Sequence, residues 1–386
     1  MDFRTRAIHV GNERDESTGA VVPPVHLAST FVQHSAGEWR EFDYSRSGNP
    51  TRKNAETTIA NLEVGFGALG FASGMAATHC ATMLLNAGDH LVAGADIYGG
   101  TYRLLHKICN RAGVSVTLVD NPTPLSLREA VTPRTRMIWL ESPGNPLMSI
   151  TDLSECCSEF SNDVGILVAV DNTFATPVLT RPLELGADIV MHSATKYLSG
   201  HSDALGGFLI AKSKTVFEDL YFIQNATGAV MSPFDAFLIS RGMKTLDLRV
   251  RTQSETALEI AAWLDNDDRV SRVLYPGLTQ HPGYDVAVKQ MNGGFGAMVS
   301  FEVLGGLNEA RAMANNTELF QLAVSLGAVE SLIEQPATMS HASYDREDRL
   351  LHGITDELVR ISVGLESSAD LKNDLDKALE MTLATS

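Results

Sequence analysis

The chain has 386 residues, 44% hydrophobic and 20% charged, and its 47 acidic against 30 basic residues give a formal net charge of −17. That length and mix suit a soluble globular protein with a large core and two domains. The acidic balance argues against a nucleic-acid partner, which needs a basic face, and no window approaches the run of about eighteen apolar residues that a spanning helix needs.

The start, Met1-Asp2-Phe3-Arg4-Thr5-Arg6, lacks the apolar segment of a secretory signal, so a cytoplasmic location is expected. Residues 1–47 show no sustained period, and Gly19, Pro23 and Pro24 break them into short pieces. They read as an irregular arm that packs on another domain or subunit. Its polar end runs Asp43-Tyr44-Ser45-Arg46-Ser47-Gly48-Asn49-Pro50-Thr51-Arg52. In an extended segment Tyr44 and Arg46 point to one side, and a phenol beside a guanidinium suits a phosphate; solvated loop side chains are the equal alternative. A helical pattern follows from Asn54 through Ile59 and Leu62. Gly65-Phe66-Gly67-Ala68-Leu69-Gly70 then fits G-x-G-x-x-G, with Asp89 and Asp96 spaced like a ribose-binding acid, the mark of a nicotinamide-dependent oxidoreductase. This run follows a helix and precedes a strand, the reverse of the order that fingerprint requires.

Ser73 is a candidate N-cap for a helix over 74–85, and Gly74 allows an anion to approach the exposed amides of its first turn. The strand His90 to Ala95 leads to Tyr98-Gly99-Gly100-Thr101-Tyr102-Arg103, a strand-to-helix turn where an aromatic ring can lie on a flat ligand. Strands over 114–119 and 137–140 and a helix near 125–131 continue the alternation, and Glu141-Ser142-Pro143-Gly144-Asn145-Pro146 closes the second of those strands. The four cysteines, Cys80, Cys109, Cys156 and Cys157, have no metal-ligand spacing and read as free thiols.

Two residues mark the centre of the chain. Asp171 ends the apolar run 165–170, a strand buried on both faces as in a parallel sheet. Lys196 lies 25 residues further on, just past the apolar run Ala187 to Met191 and flanked by Ser193 and Thr195. One connection and one strand fit between them, so neighbouring parallel strands would present a carboxylate and an amine at the same end. Desolvation favours the neutral amine, which condenses with an aldehyde; a carboxylate can keep a pyridine nitrogen protonated; two hydroxyls suit an anion. Pyridoxal phosphate needs that set. A snorkelling lysine and a turn-capping aspartate are the structural alternative.

Strand and helix keep alternating to Ile210, which implies a mainly parallel sheet with ligands at the carboxyl ends of its strands, where Tyr98, Asn145, Asp171 and Lys196 all fall. After about Arg241 the texture changes to a helix over 252–264, a strand over 297–302 and a short strand over 358–363. The chain therefore divides into an arm (1–47), a large domain (48–245) and a smaller α+β domain (246–386). Arg360 alternates with apolar neighbours, which aims it in one direction; it can bind a carboxylate bidentately or form a surface ion pair.

From Val22-Pro23-Pro24, through Tyr44 to Arg52, Asp171-Asn172-Thr173 and Ser193-Ala194-Thr195-Lys196-Tyr197, to Arg360-Ile361-Ser362-Val363-Gly364, the chain resembles the transsulfuration (Cys/Met metabolism) family of pyridoxal-phosphate enzymes. The resemblance implies an α/β chain of the pyridoxal-phosphate-dependent transferase fold type I, aspartate aminotransferase-like. It implies Lys196 as covalent anchor of the cofactor and as base, Tyr98 stacked on the ring and passing protons, and Asp171 at the pyridine nitrogen with Thr173 beside it. Gly74, Met75, Ser193 and Thr195 would bind the phosphate, joined by Tyr44 and Arg46 from a neighbouring subunit of a homotetramer built as a dimer of dimers. Arg360, Asn145 and Ser325 would hold the substrate α-carboxylate, and Asp43, Arg103 and Val324 would face its distal part. The implied activity is at Cγ of homoserine-derived amino acids, as in cystathionine γ-synthase, slightly preferred, or γ-lyase; methionine γ-lyase and cystathionine β-lyase are the alternatives. Two positions pull apart: Gly100 replaces the cysteine of methionine γ-lyases, whereas Val324 is their usual valine in place of the glutamate of γ-synthases and γ-lyases.

Overall fold

Short apolar runs, most of them closed by a polar residue or glycine, form the strands of the larger sheet. The computed structural model describes residues 1–163, 165–342 and 344–384. Its seven strands are β1 (Gly67–Phe71), β2 (His90–Gly94), β3 (Ser115–Val119), β4 (Thr135–Glu141), β5 (Leu167–Asp171), β6 (Ile189–Ser193) and β7 (Gly207–Ala211), in the spatial order β1-β7-β6-β5-β4-β2-β3. Strands β6, β5, β4, β2 and β3 are mutually parallel, which bears out the expected architecture. Strand β7 runs antiparallel to both neighbours. The reason is the connection: the chain returns from the end of β6 through a loop without a crossover helix, and a parallel return needs one.

The central strands are buried on both faces. In β5, Val168 and Val170 pack in one apolar cluster and Ala169 in the other, so alternation along the strand feeds two cores. The second sheet has the order β10-β11-β12-β9-β8, from β8 (Val270–Leu274), β9 (Met298–Val303), β10 (Gln321–Leu322), β11 (Leu332–Glu334) and β12 (Leu358–Ser362). Only β10 and β11 pair in parallel in it.

Several boundaries differ from expectation. The arm opens with helix α1 (Phe3–His9), too short to show a period, capped by the Asp2 side chain and anchored by buried Ala7. Helix α2 (Pro50–Leu62) begins four residues before Asn54, because Asn49 accepts hydrogen bonds from the Thr51 and Arg52 amides and Pro50 suits the first helical position. The G-x-G-x-x-G run is a correction: Gly67 and Gly70 lie within β1 and Gly65 just before it, so these glycines open no helix and the nicotinamide reading falls. Helix α3 (Gly74–Thr82) is capped by Ser73, whose hydroxyl accepts from the Ala76 amide, and it ends three residues early. The helix expected over 252–264 spans Leu246–Leu264. Its first turns bury Asp247 and Arg249, and those polar residues on the packed face break the apolar period. All four cysteines are free and buried. No helix among the described residues is long and apolar enough to cross a membrane.

Candidate active site

The carboxyl ends of β4, β5 and β6 bring three side chains together. Asp171 closes β5 opposite Glu141 of β4 and Met191 of β6. Its Oδ1 accepts the Thr173 amide at 3.0 Å and the Thr173 hydroxyl at 2.6 Å. The same Thr173 oxygen accepts the Ser193 amide at 2.9 Å, which ties the two strand ends. Burial raises the Asp171 carboxyl pKa, against the Thr173 hydrogen bonds and the charge of His192. Glu141, whose Oε2 accepts the Tyr98 amide at 2.9 Å, is pushed well above the carboxylate range, first by burial and then by the neighbouring charge of Asp171.

Lys196 follows β6, partly buried, and its Nζ donates to Ser325 Oγ at 2.8 Å. Burial, helped by the positive charge of Arg360 and opposed by Glu334, lowers its amine to about 8. Ser325 has φ 111°, a left-handed backbone that costs a non-glycine residue about 1–3 kcal/mol. That conformation places its hydroxyl at Lys196 while its carbonyl accepts from Arg360 Nη2 at 3.3 Å.

Arg360 stands in β12, 3% exposed. Its Nη1 donates to Asn145 Oδ1 at 2.7 Å and its Nη2 lies 2.9 Å from Glu334 Oε1. The Arg360 Nε is buried with no hydrogen-bond partner among the described residues. His341, nearby, is held neutral by burial and by the positive charge of Arg360, which lower it to about 3. The cluster therefore keeps one buried guanidinium, paired but with donor capacity left, beside one amine that sheds its proton near neutral pH.

These groups line a cavity of about 520 Å³. Gly74 and Met75 lie on it at the start of α3, and Ser193 and Thr195 at and just after the end of β6; Tyr98 and Arg103 stand on it at either end of helix α4 (Gly99–Arg103); Asn145, Val324, Ser325 and Arg360 line it with Asp171, Thr173 and Lys196. Gly74 is required by contact: a Cβ there would sit 2.9 Å from Ser193 Cβ. Asp43, Tyr44 and Arg46 do not line it within one chain. They lie on the arm, with the Arg46 guanidinium 5.6 Å over the Tyr44 ring and both side chains exposed.

Sequence reasoning missed Glu141, Glu334, Met339 and Ser340, which also line the cavity. Glu141 carried a signal, an acid at the end of an apolar strand, as Asp171 did. Glu334 reaches the site because β11 pairs with β12 in the register Glu334↔Arg360, which a three-residue strand does not announce locally.

An amine, a facing carboxylate at a strand end and a helix start that admits an anion together make a site for a phosphorylated aldehyde. Comparison with known proteins agrees. The family model described as Cys/Met metabolism PLP-dependent enzyme matches residues 4–380. A cystathionine β-lyase of Coxiella burnetii is 49% identical over 97% of this chain and 97% of its own. A cystathionine γ-lyase of Bacillus subtilis is 47% identical over 98% of this chain and all of its own. Among solved structures, a cystathionine γ-synthase of Xanthomonas oryzae pv. oryzae in complex with cystathionine superposes with a TM-score of 0.96 at 43% identity over the full length of both chains. The chain therefore belongs to the pyridoxal-phosphate-dependent enzymes of cysteine and methionine metabolism, with the type I architecture its sheet order displays.

Proposed function

We propose that this enzyme makes or breaks the C–S bond of cystathionine at Cγ, with the site in the cavity between the sheets. The observation that carries this reading is a pair of guanidiniums, Arg360 buried and Arg103 exposed, on the cavity that Lys196 also lines. Cystathionine carries an α-carboxylate at each end, and two arginines suit two carboxylates.

The residues fit pyridoxal phosphate. Asp171 is a buried carboxylate with no cationic hydrogen-bond partner among the described residues, which suits a protonated pyridine nitrogen. Gly74 and Met75 open α3, Ser193 packs against Gly74, and with Thr195 on the same cavity they suit the phosphate, while Lys196 suits the aldehyde. When bound, the cofactor supplies an electron sink for the substrate's Cα.

Arg360 fixes the α-carboxylate, with Asn145 and Ser325 holding the guanidinium and the backbone around it. Lys196 takes the Cα proton and carries protons along the substrate chain, its amine lowered by burial to about 8 so that the neutral form is within reach a little above neutral pH. Tyr98, partly exposed on the cavity, would hold the cofactor ring and would exchange a proton with the leaving group. Val324 and Arg103 face the distal part. Tyr44 and Arg46, with Asp43 beside them, serve the site of a neighbouring subunit in a homotetramer, where the exposed phenol and guanidinium reach phosphate. We place the enzyme in the cytoplasm.

Methionine γ-lyase is the second reading, and Val324 favours it by making the distal wall apolar. Gly100 opposes it: a Cβ there would strike the Tyr98 ring and come within 3.0 Å of Met75 Sδ, so a cysteine requires another Tyr98 position. Val324→Glu returns a partner for the distal ammonium of cystathionine, and its kcat/KM for cystathionine is expected to rise about tenfold relative to methionine; an unchanged ratio removes Val324 as a specificity residue. The test of the function itself is product identification. L-cystathionine gives cysteine, 2-oxobutanoate and ammonia, or an acylated homoserine with cysteine gives cystathionine. Homocysteine with pyruvate would move the reaction to Cβ, and turnover of neither substrate would overturn the proposal.

A further inference from the structure

One buried carboxylate stands behind the strand ends that carry Asp171 and Ser193. Glu63, which closes α2, is 0% exposed, and its Oε1 accepts Asn172 Nδ2 at 2.8 Å and His192 Nε2 at 2.6 Å. Asn172 directly follows Asp171, and His192 directly precedes Ser193. The two strands are joined at the same level, where the Asn172 amide donates to the Met191 carbonyl at 3.0 Å. Side chains alternate along a strand, so His192 points away from the cavity that Met191 and Ser193 line. Neither Glu63 nor His192 lines that cavity.

A buried carboxylate needs partners to offset its lost hydration. Glu63 finds both partners at the strand ends that carry the cofactor-facing groups, His192 within β6 and Asn172 just after β5, while its Oε2 has none among the described residues. Any shift of Glu63 is therefore passed to Asp171 through one covalent neighbour and to Ser193 through another. The charge of His192 also favours the ionised form of Asp171, against burial.

We propose that Glu63 and His192 are a positioning pair that sets the Asp171 carboxylate and the Ser193 hydroxyl against pyridoxal phosphate, so that cofactor binding depends on two residues outside the cavity. This rests on the reading of Asp171 and Ser193 as cofactor ligands. Asn172 is the bridge between the pair and Asp171, through its second hydrogen bond to the Thr180 carbonyl at 2.8 Å as well as its bond to Glu63.

The test uses the holoenzyme and three variants. Glu63→Gln keeps the shape and one acceptor but removes the charge; His192→Gln keeps a donor but removes the ring; the third combines them. Pyridoxal-phosphate release and the absorbance maximum of the bound cofactor are measured, together with thermal unfolding of the cofactor-free chain. Each single variant is expected to release cofactor about tenfold more readily and to shift its absorbance, and the double variant to do no worse than the weaker single one, the sign of a coupled pair. A purely structural role would lower the unfolding temperature and leave the bound cofactor's spectrum unmoved. Parental cofactor affinity and spectrum in a folded His192→Gln protein overturn the proposal, and that variant decides the matter if Glu63→Gln does not fold. Borohydride fixation of cofactor on Lys196 in the same proteins shows separately whether the underlying reading of the site holds.

Discussion

Lys196→Ala is expected to abolish turnover, with a loss on the order of 10⁴-fold or more, because it removes the residue proposed both as nucleophile for the cofactor aldehyde and as base for the Cα proton. Lys196→Arg is expected to be equally inactive, since a guanidinium does not shed its proton in this pH range. Full activity in the alanine variant would exclude Lys196 from both roles. The environment of the amine adds a pH dependence. Burial lowers it to about 8, so the reactive neutral form grows as pH rises and is nearly complete above that point. Capture of pyridoxal phosphate by the cofactor-free chain should accelerate up to about pH 8 and then level off. An unperturbed lysine would go on accelerating toward about pH 10.4. Glu334 opposes the lowering, so Glu334→Gln should move the levelling point down.

Arg360→Leu carries the second large effect, on two quantities at once. It leaves Glu334, 1% exposed, without its cation, and breaking a buried ion pair in that way costs about 3–5 kcal/mol of stability. It also removes the guanidinium proposed for the α-carboxylate, with an expected loss in kcat/KM on the order of 10²–10³-fold. The double variant Arg360→Leu/Glu334→Leu separates the two. Apolar replacement of both partners should restore much of the stability, because neither charge is then stranded, while leaving substrate recognition lost. Unfolding midpoints and KM for the amino-acid substrate check this. A normal KM in a folded Arg360→Leu protein would show that the α-carboxylate binds elsewhere.

What could be read from the chain alone follows from which features are local. Asp171 and Lys196 were legible because each ends or follows an apolar run, and the spacing between them allowed one further strand. Ser73 as a helix cap was legible for the same reason, since a cap bonds within its own first turn. The antiparallel course of β7 was not legible, because it depends on the absence of a crossover helix between Ser193 and Gly207 rather than on any residue within the strand. Glu334 was hidden by its three-residue strand, and it matters only through pairing with Arg360. The early start of the helix Leu246–Leu264 was masked by Arg249, a buried guanidinium that donates to the Tyr197 and Gly242 carbonyls, each at 2.8 Å, where an apolar residue would have kept the period. The distal specificity of the cavity stays split between Gly100 and Val324 because it depends on how Tyr98 and the distal wall sit together.

The central claim is that Lys196 is the residue that holds pyridoxal phosphate. Reducing the holoenzyme with borohydride, digesting it and locating the pyridoxyl group by mass spectrometry tests this directly. The label is predicted on the peptide containing Ser193-Ala194-Thr195-Lys196-Tyr197, on Lys196 alone. A label on another lysine, or a colourless protein with no label, would contradict it.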